Sequence, residues 1–271
     1  IIDLASLGAS DYGNCIGIPV TFGCCRSVAL TLPDGSRVGK YKPTMTAAGV
    51  GRIDDEHLHK QEPEDGLVAL QLGGPALRVG MGGGAASSMN QGDNSADLDF
   101  NAVQRGDAYM EQLVWRVIRA CIELGSDNPI VLIHDLGAGG SLNALTEALL
   151  PKGGRIDLRK LPVGDPSLST LEIWGNEAQE RMAILIHPKD IERFMAICTR
   201  EGAPCAVVGE ITGDGWIELY DSETDTSPVR LPLQEILDQL PQQRFDDESV
   251  PTKLEPMVIP EGMSVMDLLR D

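Results

Sequence analysis

Residues 107–140 read DAYMEQLVWRVIRACIELGSDNPIVLIHDLGAGG, and this stretch decides the fold class. Met110, Leu113, Val114, Val117, Ile118, Cys121 and Ile122 recur at helical spacing, which predicts an amphipathic helix over 107–124. Asp107 is placed to cap that helix and Gly125 to stop it. The apolar run at 129–133 then reads as a strand. A glycine-rich loop, HDLGAGG, leads from it into a second helix over 141–150, with Pro151-Lys152-Gly153-Gly154 as the stop.

The same alternation extends outward. Upstream, 66–72 (GLVALQL) is a short apolar run that ends at Gly73-Gly74-Pro75 and reads as a buried strand. Downstream, 181–186 predicts a strand and 188–201 an amphipathic helix. Strands at 206–210 and 216–220 flank the turn Thr212-Gly213-Asp214-Gly215. Helix and strand alternating over 66–221 indicate an α/β domain with a mixed sheet. Residues 1–60 read as turns and short strands. Candidates at 28–32 and 44–50 are separated by Pro33-Asp34-Gly35-Ser36, a turn that suggests a hairpin or meander. A polar, helix-prone stretch at 54–61 links them to the α/β domain. Beyond 231 the chain is rich in Pro, Gln and acids, with a short helix candidate at 265–269. It reads as a linker or docking arm.

A chain of 271 residues accommodates one large or two modest domains at about 150 residues each. Aromatic residues are only 4%, so the core must come from Val, Leu, Ile, Ala and Met. The formal net charge of −19 repels phosphate backbones and anionic membranes at long range, which argues against nucleic-acid and membrane partners. It leaves room for a small phosphorylated ligand, because magnesium or a pocket of backbone N–H groups holds phosphate inside an acidic protein. No apolar run approaches the ~18–20 residues of a membrane-spanning helix. The start, Ile-Ile-Asp-Leu-Ala, lacks an initiator Met and the basic region of a signal peptide, so the chain reads as a piece of a cytoplasmic protein. Cys15, Cys24, Cys25, Cys121, Cys198 and Cys205 form no CxxC pair and are expected to be reduced, small buried hydrophobes.

Chemistry concentrates in three places. Residues 80–88 (GMGGGAASS) hold four glycines and two serines, including Gly82, Gly83 and Gly84. Without Cβ atoms their N–H groups can converge on a phosphate; the other reading is tight packing of backbone. This is neither a Walker A loop nor a dinucleotide fingerprint. Asp135, at a strand's end beside glycines, is a hard-oxygen ligand suited to magnesium, or else a cap on the next helix. His134 reads as a local hydrogen-bonding residue. The run 176–181 (NEAQER) is either a row of binding groups at a sheet edge or a solvated turn with a surface ion pair. Asp93, Asp97 and Asp99 read as a solvated loop, and Met110, Trp115 and Phe194 as core. No Ser-His-Asp, Cys-His or zinc-site spacing is present.

The runs GGPALRVGMGGGAASS, SADLDFNAVQRGDAYMEQ, NPIVLIHDLGAGG and LEIWGNEAQERMAIL, in this order, closely resemble the large, single-chain phosphoribosylformylglycinamidine synthases. The resemblance covers residues 11–230. It implies two copies of the two-part aminoimidazole ribonucleotide synthetase fold plus a glutaminase domain in the whole protein. Here residues 1–60 would end the first N-terminal part and 63–230 would form the C-terminal part. Residues 231–271 would lead toward a second repeat. In similar synthases the Gln of VQ-x-GD touches formylglycinamide ribonucleotide; here that is Gln104. The Asp of the HD or QD motif binds magnesium; here that is Asp135. The substrate-contacting triplet corresponds to Glu177, Ala178 and Gln179, with Ala178 in place of the Ser of some members. A second, structural nucleotide would meet Phe22, Gly23 and Cys24.

The resemblance also implies ATP as co-substrate and glutamine as amido donor. It places the family's catalytic histidine motif before residue 1 and the glutaminase cysteine far beyond residue 271, so no residue here takes a catalytic role. Two alternatives stand beside it. One is another ATP-dependent synthase of the superfamily, of aminoimidazole ribonucleotide, thiamine-phosphate or selenophosphate type. The other is a non-catalytic acidic interaction module.

Overall fold

The structure is a computed structural model that describes residues 2–18, 20, 23–46, 48–79, 106–137, 139–238, 242, 244 and 246. Residues 1–239 form one compact unit and 240–271 a second. The first unit holds a helix, a two-stranded ribbon, and a seven-stranded sheet with helices on both faces.

The sheet is built from β3 (Val68–Gly73), β4 (Ile130–Asp135), β5 (Gly154–Asp157), β6 (Arg181–Ile186), β7 (Cys205–Ile211), β8 (Trp216–Asp221) and β9 (Thr226–Pro232). Its order is β4-β6-β3-β7-β5-β8-β9. Every pairing is antiparallel except β5 with β8. The predicted mixed sheet is therefore present. The strands expected on either side of Thr212-Gly213-Asp214-Gly215 exist, but β5 lies between them, and neither β5 nor β9 was anticipated from the sequence. β9 carries the fold to Pro232, followed by a π-helical turn at Gln234–Asp238 with Leu233 fully buried. The sheet thus ends at Pro232.

Central strands β3 and β6 are buried on both faces, which explains their mostly apolar sequence. Ala69, Ala183 and Leu185 face one cluster with α3 (Gly140–Ala148) and α4 (Thr170–Gly175), which contribute Leu145, Ala148, Ile173 and Trp174. Leu70, Leu72, Ile184 and Ile186 face the other, under α2 (Ala108–Ile122) and α5 (Ile191–Glu201). Asp107 caps α2 as predicted, its side chain accepting from the N–H groups of Tyr109 and Met110 at 3.1 Å each. Phe194 is fully buried, and Met110 packs against the same cluster. Trp115, expected in the core, is 38% exposed and lies under the Arg119 guanidinium instead.

Residues 1–60 depart most from expectation. Ile2–Ile16 form a helix, α1, where turns and short strands were predicted. Gly8, Gly13, Ser6, Ser10 and two aspartates are weak helix formers, so local propensity hid it. Its contact with α2 and the hydrogen bond from Tyr12 to Glu180 supply tertiary support. The hairpin is present as β1 (Cys24–Thr31) and β2 (Arg37–Thr46), antiparallel around Gly35, but its second strand begins at Arg37 directly after the turn and not at 44, and 48–50 are not strand. The helix-prone stretch at 54–61 yields only the single 3₁₀ turn Asp55–His57. Val28, Leu30 and Val38 are exposed on the ribbon, as are Leu4 and Leu7 on α1. Cys121 and Cys198 are buried, but Cys15 and Cys24 are exposed, because α1 and β1 lie outside the two core clusters. The 265–269 helix candidate and Asp93, Asp97 and Asp99 lie outside the described residues.

Far from the motifs, Asp221 at the end of β8 accepts two hydrogen bonds from the Arg159 guanidinium, one from Nε at 2.6 Å. It also accepts one from the Glu223 N–H at 3.0 Å. Those bonds hold its carboxyl well below the usual aspartate range, the arginine fork first. A depressed folded pKa stabilises the fold above the unfolded value and loses that contribution as pH falls through the folded one. Asp221→Asn therefore lowers the urea midpoint at pH 7, and the difference from wild type narrows as pH drops below 3.8. Urea titrations at pH 7 and in acid check this; a gap that widens in acid contradicts it.

Candidate functional site

β4 ends at Asp135, whose side chain is 79% exposed. The chain then turns through 136–139 into α3. The N-cap residue of α3 is Gly139, in the left-handed region at φ +83°, and no side chain caps the helix. The reading of Asp135 as the helix cap is thereby overturned. Its carboxylate is left facing solvent beside a helix N-terminus, where N–H groups favour anions. His134 makes local contacts, as expected: Nδ1 lies 2.8 Å from the Asp135 carbonyl and Nε2 2.6 Å from the Glu147 carboxylate of α3.

The run at 176–181 is not a solvated turn. Asn176, Glu177, Glu180 and Arg181 are all buried, and only Gln179 is exposed. α4 carries the chain into it, started by a capping box between Ser169 and Glu172. Asn176 closes that helix by donating Nδ2 to the carbonyls of Glu172 and Ile173, at 3.0 and 2.9 Å, and it accepts the Ala178 N–H at 3.3 Å.

Glu177 joins three segments. Its N–H donates to the carbonyl of Val79 at 3.1 Å. Its carboxylate accepts the N–H of Gly139 at 3.2 Å. Val79 is the residue from which the chain enters the glycine-rich run, and Gly139 lies four residues after Asp135. The approach is close enough that a Cβ on Gly140 (φ +58°) would lie 1.8 Å from the Asn176 carbonyl oxygen.

Beneath the turn lie groups to which the sequence reading gave no individual role. The Arg181 guanidinium donates Nε to the Ala178 carbonyl at 2.7 Å and Nη2 to that of Asn176 at 2.8 Å. Its Nη1 has no hydrogen-bond partner among the described residues. Gln71 of β3, the one polar side chain inside GLVALQL, accepts from the Ser141 hydroxyl at 3.1 Å, and its Nε2 likewise has no partner among the described residues. A polar letter in an otherwise apolar strand was the available signal. Glu180 sits at φ +57°, and its carboxylate accepts the Tyr12 hydroxyl at 2.7 Å. Burial pushes the Glu180 carboxyl up, and it raises half-buried Glu111 and the Tyr12 hydroxyl as well. No letter in residues 1–60 announced the Tyr12 contact.

Glu177 and Ala178 thus lie buried in one turn with Gln179 exposed, and that turn touches the loop four residues after Asp135 through Gly139. Gln104, Gly82, Gly83, Gly84 and Phe22 lie outside the described residues. Gly23 and Cys24 lie at the start of the β1–β2 ribbon; both are exposed, and Cys24 pairs with Thr46. Among the described residues no cluster of three or more potential metal ligands occurs, and no helix is long and apolar enough to cross a membrane.

Residues 62–222 match the family described as AIR synthase related protein, C-terminal domain. The chain belongs to this family. Within the AIR synthase related proteins, it is 47% identical over 277 residues to the probable phosphoribosylformylglycinamidine synthase, chloroplastic/mitochondrial, of Arabidopsis thaliana, with 98% of this chain covered. It spans 20% of that relative's length. Among solved structures of the AIR synthase related fold, T. maritima PurL complexed with FGAR matches 96% of this chain and 41% of its own, with a TM-score of 0.75 and 27% identity. T. maritima PurL complexed with AMPPCP matches 98% and 40%, with a TM-score of 0.67 and 25% identity.

Proposed function

We propose that this chain is the ribonucleotide- and magnesium-binding part of a phosphoribosylformylglycinamidine synthase, an ATP-dependent carbon–nitrogen ligase of purine biosynthesis. One observation carries the reading: the two contacts of Glu177 draw the entry to the glycine-rich run, the loop after Asp135 and the 176–179 turn to one place. The relatives' names, and the FGAR and AMPPCP complexes of similar fold, support the same assignment.

The chemistry asks for such a cluster. A formamide oxygen is a poor leaving group. Transfer of the γ-phosphoryl group of ATP to that oxygen gives an iminophosphate. Ammonia released from glutamine adds at the same carbon, and inorganic phosphate departs. Residues of this chain bind and orient the substrate. Gln104 and the turn of Glu177, Ala178 and Gln179 hold the ribonucleotide, and the N–H groups of Gly82, Gly83 and Gly84 meet phosphate. Phe22, Gly23 and Cys24 touch a second, structural nucleotide. Ala178 lacks the hydroxyl some members carry, so binding there rests on backbone and on the flanking Glu and Gln.

Magnesium fits the donors present: it takes one or two carboxylates together with phosphate oxygens, and Asp135 is an exposed hard-oxygen ligand at the end of the strand that leads into α3. When bound, magnesium offsets charge on the transferring phosphoryl group.

On this reading, residues 1–60 end one synthetase-type N-terminal domain, 63–230 form the C-terminal one, and 231–271 lead toward a second repeat. The catalytic histidine, second repeat and glutaminase belong to the rest of a longer cytoplasmic polypeptide. Calorimetry of the chain with formylglycinamide ribonucleotide, ATP and MgCl₂, each alone and together, tests this. The expected result is weak binding of the ribonucleotide, with a dissociation constant on the order of 1 mM or somewhat lower, strengthened by MgCl₂ and without turnover. No heat under any combination, or turnover by the chain alone, contradicts it.

A further inference from the structure

Arg181 is a buried cation with no counter-ion among the described residues. It is 1% exposed, and among the described residues no carboxylate lies within ion-pair distance of it. Burying a charge is costly, and a fold that needed only volume here is served as well or better by an apolar side chain. Burial alone lowers its pKa to about 10, so the guanidinium stays charged near neutral pH. Its hydrogen bonds indicate what the charge does. Two nitrogens of the planar fork donate to the carbonyls of Asn176 and Ala178, the residues on either side of Glu177.

We propose that Arg181 is a positioning residue: by clamping the carbonyls that flank Glu177, it fixes the turn that presents Glu177, Ala178 and Gln179 to ligand. The proposal rests on the function given above for its ligand, formylglycinamide ribonucleotide, but its geometric content does not. With both carbonyls held from below, the Glu177 N–H is directed at Val79 and its carboxylate at Gly139. Arg181 itself is anchored by the sheet: it opens β6 and pairs with Gly73 of β3. Gln71, two residues before Gly73 on the same face of β3, performs the matching task for α3 through the Ser141 hydroxyl. The two side chains are diagonal neighbours across β3 and β6, which places them within ~7–8 Å at Cβ. One polar bracket between sheet and loops therefore holds both sides of the candidate site. A lysine cannot replace the fork, since one ammonium does not span two carbonyls in the fixed geometry of a guanidinium.

The test uses Arg181→Met, which keeps volume without charge or donors, and Arg181→Lys, which keeps charge. In the free chain, amide hydrogen exchange at Glu177 and Ala178 is expected to speed up at least tenfold in Arg181→Met and less in Arg181→Lys, with β7 amides within threefold of wild type. The dissociation constant for formylglycinamide ribonucleotide with MgCl₂ is expected to rise at least tenfold in Arg181→Met, partly restored in Arg181→Lys. A merely structural arginine speeds exchange evenly across the sheet and leaves ligand affinity of the folded protein unchanged; that result overturns the proposal. If Arg181→Met does not fold, Arg181→Lys with exchange at residues 177 and 178 equal to wild type overturns it as well. If wild type binds no ribonucleotide, the functional reading fails, and the exchange data still decide the role of Arg181.

Discussion

Gly140→Ala is expected to destabilise the protein by about 2–5 kcal/mol and to open the candidate site. Two effects act together. The residue sits at φ +58°, where an L side chain costs roughly 1–2 kcal/mol. The added Cβ would also lie 1.8 Å from the Asn176 carbonyl oxygen and 2.8 Å from its carbonyl carbon. Those are backbone atoms and have no rotamer to change. Relief comes only by moving Asn176, which is tied to α4 through two hydrogen bonds, or by moving α3 away. Overpacking of this kind typically costs ~1–3 kcal/mol. Either movement separates Gly139 from Glu177 and removes the clasp between loop and turn. Gly175→Ala is the control: it lies nearby, at the end of α4, and a Cβ there meets nothing within 4 Å. Urea midpoints of the two variants decide the matter, and equal midpoints contradict the packing described.

Asp135→Asn is expected to leave stability almost unchanged and to remove most of the chemistry. Its side chain is 79% exposed, and its nearest described ion-pair partner is His134 at 3.7 Å. Surface changes of this kind fall within about 0.5 kcal/mol. On the proposed function, in a full-length synthase carrying this segment the same change is expected to take a hard-oxygen ligand from magnesium and to lower turnover by about 100-fold or more, the scale of one well-placed electrostatic contact. Steady-state kinetics with formylglycinamide ribonucleotide, glutamine and ATP read this out. Unchanged turnover in Asp135→Asn and in Gln104→Ala would favour the acidic interaction module instead.

How far each element could be read from sequence depends on how it is encoded. α2 was legible because its apolar residues repeat at helical spacing between a capping Asp107 and Gly125. β3 and β6 were legible as short, mostly apolar runs. α1 was not, because its glycines and aspartates argue against a helix that contact with α2 then stabilises. β5 was hidden by its brevity, four residues that alternate buried and partly exposed, and its insertion between β7 and β8 is a property of the sheet rather than of any local run.

At the site, the polar letters of 176–181 could be read two ways. Charged residues in a row look like a solvated turn, and only the tertiary contacts reveal them as buried. Asp135 was readable as a ligand or a cap; the backbone of Gly139 decided against the cap. Gln71, Ser141 and Tyr12 act across 70 to 168 residues of sequence separation, beyond the reach of any spacing rule.

The most direct measurement is a crystal structure with formylglycinamide ribonucleotide and Mn²⁺, the metal located by its anomalous signal. The account predicts Mn²⁺ within about 2.0–2.3 Å of an Asp135 carboxylate oxygen and the ribonucleotide touching residues 177–179 and the run at 80–88. A ribonucleotide bound elsewhere, or a metal that leaves Asp135 untouched, contradicts it.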